Sequence, residues 1–193
     1  EPPTIDGVVD KVFLKGDKFT NEELKSNVTA TGTAGESLTN RIEITHNIDT
    51  SNVGLYDVIY SVTDDNDVST TVTSTVQVQA KPEIYVKRGR ETIELNSLTN
   101  LTEEELDARL KDVVTVIDEE DDELNKPVKL ELVYDRKTMI DSTQLGGTST
   151  VRYRATDSDG NETEKDVVVT IIRTINVSVP TVIPFQVVTN LKK

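Results

Sequence analysis

Apolar and polar positions alternate along most of the chain, with little of the three-to-four spacing of a helix. Tyr56, Val58, Tyr60 and Val62 share one side of an extended segment, with Asp57, Ile59 and Ser61 on the other. The pattern returns at Val151, Tyr153 and Ala155, where Arg152 and Arg154 take the alternate positions. Two arginines cannot sit unpaired in a small core. The Val/Tyr face therefore points inward in both segments, and Ile59 points outward with the arginines. Val76 and Val78 read the same way as Val169 and Ile171. Turns are expected at Asp64-Asp65-Asn66-Asp67 and at Asp157-Ser158-Asp159-Gly160-Asn161, where Asp159-Gly160 is a hairpin signal. Residues 21–24 and 103–110 read as one short helical piece each, and Thr102 followed by Glu105 has the capping-box pattern. Everything else reads as strand and turn, at the spacing of an all-β sandwich.

The chain also repeats itself. Pro3-Thr4-Ile5 matches Pro82-Glu83-Ile84, and Phe19-Thr20-Asn21-Glu22-Glu23-Leu24 matches Leu101-Thr102-Glu103-Glu104-Glu105-Leu106. Val28-Thr29 matches Val114-Thr115, Arg41-Ile42-Glu43-Ile44 matches Lys129-Leu130-Glu131-Leu132, and Ile48-Asp49 matches Ile140-Asp141. The strand of Tyr60 matches that of Tyr153. The order is the same in both halves, as expected of two homologous modules. The modules are placed at 1–79 and 80–172, with a tail at 173–193 that reads either as the start of a further β module or as a strand paired to the second module. The joint, Gln79-Ala80-Lys81-Pro82, is short and stiffened by its proline.

Composition narrows the classes. Thr (27) and Val (26) dominate the 193 residues, and both are β-branched residues that favour strands. The net charge of −14 repels phosphate backbones and excludes nucleic acid as an expected partner. No apolar run reaches the length of a membrane span, so no membrane insertion is expected. Glu1-Pro2-Pro3-Thr4 does not read as a signal peptide, and the chain reads as a piece of something longer. With no Cys and one His, thiolate and multi-histidine metal sites and thiol nucleophiles are excluded.

Lys15-Gly16-Asp17, Val28-Thr29-Ala30-Thr31 and the run from Ile48-Asp49-Thr50-Ser51-Asn52-Val53-Gly54-Leu55-Tyr56 to Tyr60-Ser61-Val62-Thr63-Asp64 resemble the bacterial immunoglobulin-like repeats. Such repeats are found in pesticidal crystal proteins and in many Gram-positive surface proteins. In the second half, Gly147, Val151, Tyr153, Thr156-Asp157 and Gly160-Asn161 follow the family's ending, with Ser149 in place of its first Tyr. The first half has Asn66-Asp67 where the family has Gly-Asn. The resemblance implies tandem seven-stranded immunoglobulin-like sandwiches without a disulfide, used as spacers in secreted or wall-attached proteins. Gram-positive sandwiches of this kind sometimes carry a Lys–Asn isopeptide staple. The closing strands here, 75–78 and 167–172, contain no Asn, so no staple is expected.

Candidate chemistry is sparse. Asp157, Asp159 and Asn161 have the spacing of half a calcium loop, but Val168 stands where the twelfth-position Glu would be. Asp64, Asp65 and Asp67 form the matching turn. Both read as hairpin turns, with no structural calcium expected. Asp118-Glu119-Glu120-Asp121-Asp122-Glu123 is a run of like charges, expected to be a solvated, mobile surface loop. His46 reads as a strand-end residue. No pair of carboxylates is marked as flanking a cleft, and there is no Trp; beyond the two core tyrosines only Tyr56, Tyr85 and Tyr134 remain as aromatic platforms for sugar. No catalytic, cofactor-binding or metal-ligating residue is assigned.

The expected function is that of non-catalytic spacer or adhesion modules of a bacterial surface or secreted protein, located outside the cell. The alternatives are a carbohydrate- or host-protein-binding module, or an accessory domain of a secreted enzyme. The partner expected is a host or matrix protein or a glycan, with the chain a monomer inside a longer multidomain protein.

Overall fold

The computed structural model describes residues 1–89, 92–94, 102–141 and 147–172. The expected tail at 173–193 lies outside them. In the first half, β1 (Thr4–Asp6) pairs antiparallel with β3 (Thr29–Thr31). Facing them is a four-stranded sheet in the order β2 (Lys11–Leu14), β6 (Ser69–Gln79), β5 (Gly54–Thr63), β4 (Glu43–His46). In that sheet β2 runs parallel to β6, and the other pairings are antiparallel. The second half repeats this plan. β7 (Glu83–Val86) pairs with β9 (Val114–Ile117), and the second sheet runs β8 (Thr92–Glu94), β12 (Glu162–Ile172), β11 (Gly147–Thr156), β10 (Lys129–Val133). Again only the first-named strand, β8, is parallel to its neighbour. The chain is all-β: two tandem immunoglobulin-like sandwiches.

The resemblance implied seven strands. Six form in the first sandwich, and the segment between β3 and β4 contributes only an isolated bridge, Thr31 to Ser37, and a 3-10 turn (Thr39–Arg41).

Each sandwich has its own core. In the first, Val58, Tyr60, Val62, Val76 and Val78 from the large sheet pack on Leu24, Val28, Ala30, Leu38 and Ile42. In the second, Val151, Tyr153, Ala155, Val167 and Val169 pack on Leu106, Leu110, Val113 and Met139. The inward Val/Tyr face is thus as the alternation predicts. The outward face carries a ladder of ion pairs: Arg152 to Asp166 at 2.7 Å and Arg154 to Glu164 at 2.6 Å, across the β11–β12 register. Tyr56 sits at the rim, half-buried against the core, and donates its hydroxyl to the Asn52 carbonyl at 3.0 Å.

Ile59 is 41% exposed and lies opposite Thr73, where the second sandwich pairs Arg152 with Asp166. Ile59→Arg is expected to shift stability by no more than about 0.5 kcal/mol, as surface changes usually do. Thermal unfolding checks it, and a large loss would reverse the face assignment.

The helical pieces form where their caps are. α1 (Asn21–Leu24) and α2 (Glu103–Lys111) both begin at a threonine, Thr20 or Thr102, in a reciprocal capping box with Glu23 or Glu105. The two are not equal in length. Tyr60 donates its hydroxyl to the Leu24 carbonyl at 3.0 Å, and Tyr153 donates to that of Leu110 at 2.8 Å. Leu110, not Leu106, is therefore the structural partner of Leu24. α2 has gained one turn, which keeps its apolar face inward because side chains four apart share a face. Two further helices depart from the strand-and-turn expectation: α3 (Glu119–Leu124) and α4 (Arg136–Asp141). α4 carries the buried Met139 into the second core.

Candidate functional site

The feature that stands apart from the repeated fold is the seam where the two sandwiches meet. It is built from the Gln79–Pro82 joint, α3 and the β11–β12 turn. Gln79, Ala80 and Pro82 are all buried. The Lys15 amide donates to the Gln79 carbonyl at 2.7 Å, tying the joint to the end of β2.

The two Asp-rich turns are the same turn. Asp64 Oδ1 accepts the amides of Asn66 (2.8 Å) and Val68 (2.9 Å), and Asp157 Oδ1 accepts those of Asp159 (3.0 Å) and Asn161 (2.7 Å). Asp67 and Gly160 both take a positive φ, 60° and 89°, so they occupy equivalent positions. This corrects the alignment by one residue: the Gly-Asn of the second turn corresponds to Asp67-Val68 of the first, not to Asn66-Asp67. Asp64 and Asp157 spend their carboxylates holding their own backbone, as expected of hairpin turns. Asn161 reaches further. Its Nδ2 donates to Asp157 Oδ2 (3.0 Å), to Gln79 Oε1 (3.2 Å) and to the Ala80 carbonyl (3.3 Å). The turn thereby grips the joint, and Val68 has no side-chain amide with which to do the same.

The acidic run is not the solvated loop its charge pattern suggests. Asp118 caps α3, accepting the amides of Glu120 (3.2 Å) and Asp121 (2.9 Å) through Oδ1, and Asn125 closes the helix in the left-handed region. Acids in a first turn are favoured by the amide groups exposed there. Asp118 and Asp121 are each only 2% exposed. Asp121 is satisfied from the β11–β12 turn: Ser158 donates its amide (2.7 Å) and its hydroxyl (2.6 Å). Glu120 accepts the Ala80 amide at 2.8 Å, and Glu119 pairs with Lys15 of the first sandwich at 2.6 Å. Three successive acids thus bind three different partners.

Burial raises the carboxyls of Asp118 and Glu120 above the ordinary range. Neighbouring charge adds to it: Asp121 and Asp157 act on Asp118, and Asp118, Asp159 and Asp157 act on Glu120. Among the described residues, no group of three or more acids or histidines is arranged to hold a metal ion. A groove of about 670 Å³ opens on one side of the seam between Leu14, Lys15, Pro82, Ile117 and Glu119. A smaller one, about 310 Å³, lies between Leu55 and Gln77 of the first sandwich and Glu123 and Leu124 of the second.

The remaining candidates lie elsewhere. His46 ends β4; its Nδ1 accepts the Ile48 amide (3.3 Å) and its Nε2 faces Asn21 Oδ1 at 3.0 Å, with the ring against Phe19. Tyr134 donates to Asp107 at 2.6 Å, and burial pushes its phenol well up. Tyr85 is half-exposed and bonded to Glu83. Sequence reasoning missed the seam because its three parts are far apart in the chain. The only local signal was Asn161, whose side chain the turn itself does not need.

Two sandwiches joined end to end, with a short pinned joint, define the class: tandem immunoglobulin-like modules. Residues 3–78, the span of the first sandwich, match the family described as bacterial surface protein, Ig-like domain. Domains of that type are typically non-catalytic, and the family's description points to a surface or extracellular setting. Among the described residues, no helix is long and apolar enough to cross a membrane. No curated protein matches the chain.

Similar solved structures include the CBM51-2 and INT domains of Clostridium perfringens ZmpB in complex with GlcNAc (16% identity, TM-score 0.36), where the match covers 89% of this chain and 41% of that one. The fibronectin(III)-like modules of Clostridium thermocellum CbhA match at 14% identity and TM-score 0.34, over 89% of this chain and 94% of that one. Domains EC3-6 of protocadherin gammaB7 match at 11% identity and TM-score 0.35, over 89% and 48%. At such TM-scores the fold rests on the strand pairing described above, not on these likenesses.

Proposed function

We propose that this chain is a pair of tandem immunoglobulin-like modules, 1–79 and 80–172, serving as a spacer with adhesive loops in a bacterial surface or secreted protein. The modules are non-catalytic and work outside the cell, as a monomeric stretch of a longer multidomain chain. Their partner is a host or matrix protein or a glycan; the charge of −14 disfavours nucleic acid.

The observation that carries this reading is the repetition of one sheet order on both sides of a pinned joint. A spacer needs units that fold separately and a connection that does not swivel. The joint supplies the second through Lys15, Glu120 and Asn161, each bonded to Gln79 or Ala80. Expression of 1–79 and 80–172 as separate chains tests the first. Each is expected to unfold cooperatively, with the second somewhat weakened by loss of its joint contacts. If neither half shows a cooperative transition, the boundary at Gln79–Pro82 is wrong and the spacer reading goes with it.

A further inference from the structure

We propose that the seam is a proton-operated latch, in which Asp118 takes up a proton on its free oxygen and thereby tightens the hold of α3 and the β11–β12 turn on the joint. The geometry is unusual at one atom. Asp118 Oδ1 is satisfied by two amides, but Oδ2 is buried and has no hydrogen-bond partner. A buried carboxylate oxygen without a donor is costly, and here the surroundings make it worse.

The groups around it are these. From α3 come Asp121 and Asp122, the latter accepting the Asp118 amide at 3.3 Å. The turn between β11 and β12 contributes Asp157, whose charge acts on Asp118, and Asp159, which acts on Glu120. At the joint stands Glu120, bonded to Ala80. The basic groups nearby are engaged elsewhere: Lys126 bonds the Ser158 hydroxyl at 3.2 Å, and Lys15 pairs with Glu119. A proton from solvent neutralises the carboxylate whose Oδ2 has no donor, and so removes one of the like charges. Oδ1 still caps α3, so nothing else has to move.

The direction of the effect follows. Asp118 is held above its ordinary 3.8 in the fold. A carboxyl raised on folding adds stability that is full below the unfolded value and is lost as pH rises through the folded value. The latch is therefore tighter in mild acid than at neutral pH. Because Glu120 and Asn161 grip Ala80 from the same cluster, the tightening is passed to the joint between the modules.

Asp118→Asn in the full chain is the test, since its amide keeps the capping oxygen and is neutral at every pH, as the protonated carboxyl is. At about pH 7.5 the variant is expected to melt some 3–6 °C above the parent, and the gap is expected to close by about pH 4. Carboxyl NMR titration of the unaltered protein should place Asp118 above the ordinary range, a reading that does not depend on the variant folding. Protection of the Ala80 and Ser158 amides from hydrogen exchange, corrected for intrinsic rate, should rise with acidification. A variant no more stable than the parent at neutral pH overturns the proposal, and so does an Asp118 that titrates at or below 3.8. A third outcome does the same: if millimolar calcium raises the melting temperature of the parent but not of Asp118→Asn, a metal ion fills the place assigned to the proton.

Discussion

Tyr60→Ala and Tyr153→Ala are each expected to destabilise their own sandwich by about 3–5 kcal/mol and to leave the other unchanged. Both rings are essentially inaccessible, at 1% and 0% exposure, and stand at the centre of the two cores. Truncation leaves a cavity that the surrounding Val and Leu side chains, held on the sheets and the short helices, can close only in part. It also strands the Leu24 or Leu110 carbonyl, which loses the hydroxyl that reaches it from across the core. Tyr→Phe separates the two contributions, since it removes only the hydrogen bond, worth about 1 kcal/mol. Chemical denaturation followed by fluorescence or circular dichroism reads both. At Tyr153 there is a pH signature as well. Burial pushes its phenol up to about 12 from 10.0. The stability this represents is complete below pH 10 and is lost as pH rises toward 12, and Tyr153→Phe should remove that slope. A tolerated Tyr→Ala in either sandwich would mean that the strand faces have been assigned the wrong way round.

The second large effect concerns the extra turn of α2. Leu110→Ala is expected to cost about 2–5 kcal/mol, the range for deleting a buried leucine side chain. Leu110 is fully buried beside Met139, Val151 and Tyr153 in the second core. It stands where Leu24 stands in the first sandwich, with its carbonyl taking the tyrosine hydroxyl. The loss should appear in the unfolding of the second sandwich alone. A cost below about 1 kcal/mol would imply that the core does not depend on this position. In that case Leu106, its buried neighbour one turn earlier, would be the true counterpart of Leu24.

Much of the architecture is written locally in the sequence. A strand with one buried face has to alternate, so Val58, Tyr60 and Val62 declare their direction within five residues. The arginines at 152 and 154 make the direction unambiguous, because charge is expensive inside. The capping box of α2 needs only Thr102 and Glu105, and the turn at Asp157 only the backbone two and four residues on. These features depend on near neighbours, and neighbours are what a sequence displays. The repeat adds to this, since each half reports on the other. What could not be read is what depends on partners from elsewhere in the chain. The run 118–123 looked like a solvated loop because six like charges in a row repel. Only the fold brings Ser158 to Asp121, Ala80 to Glu120 and Lys15 to Glu119, from 37, 40 and 104 residues away. The added turn of α2 was invisible for a related reason: the sequence match aligned Leu24 with Leu106 by their caps, whereas packing aligns it with Leu110 by the tyrosine it meets. Tertiary structure alone decided which acids are buried and what holds the joint. A buried charge is tolerable only where donors converge on it, and convergence is a property of space, not of order along the chain.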